Sequence, residues 1–277
     1  MGSFRGHALP GSLFLLVGLW HVWSSLSRFA AAPSSFRARA WNPAPEWLCG
    51  GRLVHLELYL VVGGSLLDLC IEFFYSTHLR IFVNGGVLNP AHMNDFEHAG
   101  MLLMFFLFGC AALLSQTTRF LPLPEGALCL LGATAFTAEY LLFYFHSTTH
   151  KGLEGHYHLI LVLLVGLCVA SSVTAALLPA SFPADLCNGV AISLQGLWFY
   201  QTAFVLYGPM MPRGCRLRDD QITCHSPGSE TRGELLANFQ LFSLVLLVLV
   251  VVVGLYTVAA CKYGDPTEEL SSPQEAH

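Results

Sequence analysis

The run Leu241-Phe242-Ser243-Leu244-Val245-Leu246-Leu247-Val248-Leu249-Val250-Val251-Val252-Val253-Gly254-Leu255 decides the fold. It carries no charge and lies inside an apolar segment spanning about 235–260. Apolar stretches of roughly 18 or more residues are long enough to cross the hydrocarbon core of a bilayer as a helix. Six more such stretches precede it, at about 8–29, 53–75, 98–115, 121–145, 157–178 and 185–207. Composition agrees: 54% of the 277 residues are hydrophobic, only 11% are charged, and mean hydropathy is +0.57. A soluble domain usually carries about 25% charged residues. The reading is all-α: a polytopic membrane protein, a seven-transmembrane-helix bundle over residues 1–262, followed by a short, acidic, disordered tail over 263–277.

The natural partner of such a chain is the lipid bilayer, with other membrane proteins beside it. No basic patch with interleaved aromatics occurs, so nucleic-acid binding finds no support. The first apolar run, with Arg5 before it and Ala30-Ala31-Ala32 after it, imitates a cleaved signal peptide. It is long for that role and contains Trp20, His21 and Trp23, so a retained helix is expected. Gly2 suggests myristoylation, but Gly6 stands where Ser or Thr is required. Residues 30–51 read as an irregular Pro- and Ala-rich connector.

Seven crossings put the N-terminus on one side with loops 76–97, 147–156 and 208–234. This first side holds seven basic residues and the opposite side, which includes Arg52, holds six, a near tie by the positive-inside rule. Two details favour a luminal or extracellular first side. Arg28, Arg37 and Arg39 follow the first helix, and Cys215 and Cys224 fall together in loop 208–234, where an oxidising space would allow a disulfide. The expected location is a secretory-pathway or plasma membrane.

Nine of the twelve histidines map to that first side: His7, His78, His92, His98, His146, His150, His156, His158 and His225. The metal-ligand candidates are His98, His146, His150, His156 and His158. His146 and His150 share a helix face at i, i+4, a spacing that chelates a single ion, and zinc is the cofactor it would suit. Gly152 and Gly155 favour a turn that folds the second pair back beside the first. On a helix His156 and His158 point about 200° apart, so both face one ion only if the backbone there is irregular. Solvated or packed interfacial histidines are the plainer alternative.

Acids also fall within apolar segments. Glu57, Asp68 and Glu72 share one stripe of the second helix, and Glu139 lies in the fourth, about 10 Å of helix rise below His146. A mid-bilayer carboxylate costs about 2.5–3.5 kcal/mol on insertion scales and therefore faces the bundle interior. These four residues could form a proton or cation track. Alternatively they are interhelical hydrogen bonds worth about 1 kcal/mol each.

Several segments resemble a known family. They are Gly6-His7-Ala8-Leu9-Pro10-Gly11 with Gly18-Leu19-Trp20, Glu97-His98-Ala99-Gly100-Met101, Glu139 through His146, His156-Tyr157-His158, and above all Leu194 through Leu206. Together they resemble the transmembrane protein 45 and transmembrane epididymal protein family, the epididymal branch more closely. The resemblance implies a multi-pass protein of secretory membranes with no settled activity, and expression in a reproductive tract such as the epididymis. Members often have His where this chain has Thr148, so either His150 replaces that ligand or no metal binds.

Three functions follow as expectations. The first is a non-enzymatic interaction or trafficking protein, since no complete catalytic constellation is present. The second is a zinc-dependent membrane hydrolase similar in outline to ceramidase-like enzymes, with Glu97 or Glu139 moving protons. Neither their full Ser/Asp/His pattern nor a nucleophile elbow occurs. The third is a proton or metal transporter, although inverted repeats and broken helices are missing. Haem ligation by paired histidines is a weaker fourth.

Overall fold

A computed structural model describes residues 3–45, 53–83, 85–218 and 221–264. Gly2, Arg52 and the expected disordered tail beyond Gly264 lie outside the described residues. Among the described residues, seven helices are long and apolar enough to cross a membrane. They are α1 (Phe4–Ala31), α2 (Leu56–Cys70, continued by a π-helical turn Ile71–Ser76), α3 (Met93–Thr117), α4 (Glu125–Thr149), α5 (Gly152–Leu177), α6 (Phe182–Leu206) and α7 (Pro227–Tyr263). Two small hairpins complete the first side. One pairs β1 (Phe82–Val83) with β2 (Val87–Leu88), and the other pairs β3 (Cys215–Arg218) with β4 (Gln221–Cys224).

Local chemistry sets the helix starts. Ser3, Ser181 and Ser226 each accept a backbone N–H three residues on, from Gly6, Ala184 and Ser229, capping α1, α6 and α7. Pro183 and Pro227 stand in the first turns of α6 and α7, where no donor is lost. The turn between α4 and α5 is tighter than the glycine pattern suggests. His150 is extended, Gly152 takes φ +63°, and Gly155 lies inside α5, so one left-handed glycine suffices.

The centre of the bundle is α6. Its apolar stretch is 72% buried, against 11% for α7, which presents Leu, Val and Phe to lipid along most of its length. α1 packs closely along α6 because glycines face it. A Cβ on Gly196 would lie 2.5 Å from the Leu15 backbone nitrogen, and one on Gly18 would lie 2.5 Å from that of Ser193. Small residues that admit close backbone approach are the usual means of helix association in lipid. Gly196→Ala is accordingly expected to destabilise the protein by about 1–3 kcal/mol, because the clash is with backbone. Gly63→Ala meets nothing within 4 Å and should be neutral or slightly stabilising. Denaturant titration of both variants in one detergent checks the pair, and equal effects would contradict this packing.

The described part of the connector, residues 32–45, has irregular backbone apart from one 3-10 turn at Pro33–Ser35, and it is not loose, while residues 46–51 of that expected segment lie outside the described residues. Phe36, Ala38, Trp41, Asn42 and Ala44 are buried beneath the bundle, and the Ala38 N–H donates to Pro179 O at 2.7 Å. Phe182 stacks on Phe29 at 3.9 Å, sealing the same end.

Candidate functional site

The α4–α5 turn, the N-terminal ends of α1 and α3, and the C-terminal end of α2 enclose a cavity of about 530 Å³. It lies at the first-side end of the bundle. His7, His98, His146, His150 and His158 line it, together with the carboxylates Asp68, Glu72 and Glu154. Gln221 and Ile222 of the β3–β4 hairpin reach its wall, and Cys215 and Cys224 are joined by a disulfide across that hairpin.

Helical geometry explains the grouping. His146 lies in the last turn of α4 and His150 follows as its C-cap, with their ring centres 4.2 Å apart. The turn brings His158 back to 5.0 Å from His146 and 5.4 Å from His150. His98 of α3 adds a ring 5.5 Å from His146, and His7 of α1 adds one 5.7 Å from His158. Three of the imidazoles share a tether. Nδ1 of His7, His150 and His158 lies 3.0, 2.9 and 2.8 Å from the carbonyl oxygen four residues earlier, at Ser3, His146 and Glu154. A carbonyl can only accept, so Nδ1 carries the proton, and in the neutral ring Nε2 keeps its lone pair.

Glu72 and Glu154 are paired or hydrogen-bonded at the wall. His98 Nδ1 is 3.8 Å from Glu72 Oε2, and His150 Nε2 is 3.6 Å from Glu154 Oε1. The Tyr207 hydroxyl donates to Glu154 Oε1 at 2.9 Å. Burial first, then the adjacent Glu154, hold the Tyr207 phenol above its ordinary range, so it remains a donor. Among the described residues, no three His, Cys, Asp or Glu donors stand close enough together to hold a metal ion with the rings oriented as they are.

Not every candidate is gathered here. His156 is half-buried on another face of α5, its Nε2 2.8 Å from Asn238 Oδ1 of α7. The regular helix there separates it from His158, so it leaves the ligand set. Thr148 is exposed and bonds back to Phe145 O, while His150 supplies the ring beside His146. The acidic stripe of α2 divides by depth. Asp68 and Glu72 line the cavity, whereas Glu57, about 16 Å of rise below Asp68, accepts the Asn42 N–H at 2.6 Å near the opposite face. Glu139 is fully buried and accepts from Gln195 at 2.7 Å, and Gln195 accepts from the Cys168 thiol, so this bond chain runs sideways rather than toward the cavity. The four acids therefore do not form one track.

Residues outside the sequence-derived set complete the picture. His7, Glu154 and Tyr207 belong to the cavity or its wall. Glu154 stands at i+4 from His150 and i−4 from His158, a spacing that could have marked it. At the other face Asp185, fully buried, accepts from His21 Nε2 at 3.2 Å, Arg28 Nη2 at 2.6 Å and the Arg39 N–H at 3.0 Å.

Fold and site thus define a seven-helix polytopic membrane protein with a histidine-lined cavity at one face. A family of unknown function (DUF716) matches residues 125–257, from the start of α4 into α7, which include His146, His150 and His158. Transmembrane epididymal protein 1A of Mus musculus is 25% identical over 228 residues, covering 80% of this chain and 72% of that protein. Transmembrane epididymal protein 1 of Homo sapiens is 23% identical over 178 residues, covering 60% of this chain and 63% of that one. The resemblance to the transmembrane epididymal proteins carried by the sequence is therefore borne out.

Proposed function

We propose that the protein binds a divalent transition metal, zinc foremost, in the first-side cavity through His146, His150 and His158. One observation carries this reading: the three rings lie 4.2–5.4 Å apart, with two of their Nδ1 atoms donating to backbone carbonyls. Three imidazoles on one tetrahedral zinc, with Zn–N near 2.0–2.1 Å, have ring centres about 5 Å apart. Donation from Nδ1 to a carbonyl is also how metal-bound imidazoles are commonly oriented. Binding would require the three rings to reorient so that their Nε2 atoms converge while Nδ1 of His150 and His158 stays on its backbone carbonyl.

The fourth position would face the cavity near Asp68 and Glu72, the arrangement in which a metal can activate water. The same site serves an interaction or trafficking protein if the ion is structural. A transporter reading loses support from the lateral course of the Glu139 bonds. The Cys215–Cys224 bridge, beside the cavity mouth, supports a first side facing an oxidising lumen or the cell exterior.

Elemental analysis of protein purified without chelator tests the proposal. About one zinc per chain is expected, falling on acidification because protons compete for the imidazole nitrogens. Occupancy below about a tenth, not raised by added zinc, would overturn it.

A further inference from the structure

One carboxylate of the first-side cavity stands apart from the others. Asp68 of α2 is only 4% exposed and lines the cavity, yet its side chain makes no hydrogen bond or ion pair among the described residues. Glu72 follows one turn later, and the nearby imidazole of His98 serves Glu72, with Nδ1 3.8 Å from Oε2. A carboxylate buried without hydrogen bonds is costly, and ionisable groups within membrane helices commonly mark ligand sites. The rest of the polar lining is rich in acceptors. Nδ1 of His7 and of His158 is held on a backbone carbonyl, which leaves each neutral ring an accepting Nε2. Among the described residues lining the cavity, Lys151 is the one Lys or Arg, and it is exposed.

We infer that this cavity binds a primary amine, its ammonium group donating to Asp68 and Glu72 and its apolar body lying against Phe143 and Phe199. This goes beyond the metal reading and does not rest on it. Residues four apart on a helix are neighbours on one face, so a single ammonium, with three donors, can serve both carboxylates. Such charge-assisted hydrogen bonds are roughly twice as strong as neutral ones. The space, about 530 Å³, far exceeds that of one inorganic ion, and Met101, Leu102, Phe143 and Phe199 give it apolar wall as well as charge. Carboxylates and ring acceptors disfavour an anionic ligand, whereas an amine with an apolar body matches both parts of the lining. Further N–H or O–H donors on the ligand would meet Nε2 of His7 and His158.

The test measures binding of radiolabelled 2-phenylethylamine to the full chain in phosphatidylcholine particles, with uptake by empty particles subtracted. Saturable binding is expected. 2-Phenylethanol lacks the charge and the trimethylammonium analogue lacks the N–H donors, so each should bind at least about tenfold more weakly. This series uses the wild-type chain and needs no variant. Asp68→Asn should weaken amine binding by a similar factor, whereas Glu57→Gln, near the opposite face, should leave it unchanged. Including phosphatidylethanolamine in the particles separates two sources of the ammonium group. Competition by that lipid would assign the site to an aminolipid headgroup, and its absence to a soluble amine. Chelated, zinc-free protein should still bind the amine, so failure of this inference and failure of the metal site are told apart. No saturable binding to the wild-type chain, equal binding of either analogue, or undiminished binding by Asp68→Asn would overturn the inference.

Discussion

Asp185→Ala is expected to destabilise the bundle by about 3–5 kcal/mol, the cost of removing one partner from a buried charge network. Asp185 sits in the first turn of α6, where a carboxylate also meets the positive end of the helix dipole. Its two oxygens accept three donors from two segments: His21 and Arg28 of α1, and the Arg39 N–H of the connector. Without it the Arg28 guanidinium, whose side chain is only 21% exposed, keeps its charge and loses its anion. The Arg39 N–H loses its acceptor as well, so the connector keeps its Ala38 and Asn42 anchors but loses this one. Asp185→Leu with Arg28→Met should be milder than Asp185→Leu alone, since replacing a buried pair by apolar groups is often neutral. Denaturant titration in detergent measures all of these. A loss below about 0.5 kcal/mol for Asp185→Ala, the range of ordinary surface changes, would mean that water already solvates this cluster.

That network shows where reading the sequence stops. Leu241–Leu255 and its six counterparts were legible because a bilayer imposes length and apolarity on each crossing, a one-dimensional constraint. The grouping of His146, His150 and His158 was legible because it is local, set by helical spacing and one glycine turn. Asp185 and Arg28 are 157 positions apart, and nothing in either neighbourhood points to the other. His7 was placed on the first side but not in the ligand set for the same reason, since it reaches His158 only because α1 lies along α6. Glu57 failed differently. Helical periodicity reports the face of a helix and not the depth, so a shared stripe joined residues that serve opposite ends of the bundle. The π-helical turn at Ile71–Ser76 adds a local shift of register that no periodicity argument contains.

His158→Ala and His156→Ala should separate a built site from a merely histidine-rich rim. The two residues have the same chemistry, the same helix and nearly the same height, but the helical twist sends them in different directions. His158 is 2% exposed, tethered by Nδ1 to Glu154 O, with its ring between His146, His150 and His7. Its loss removes a donor, so zinc affinity should fall at least about 100-fold, the upper end of the cost of removing a mere outer partner. His156 bonds Asn238 across the α5–α7 contact, so its loss should leave zinc affinity unchanged and loosen only that contact. His146→Ala should match His158→Ala, whereas His98→Ala, which removes a ring held loosely against Glu72 at 3.8 Å, should cost less. Competition titration with a zinc-selective dye measures the series. Equal losses at His156 and His158 would mean that zinc reads the density of imidazoles at the rim, and the three-ring site would have to be abandoned.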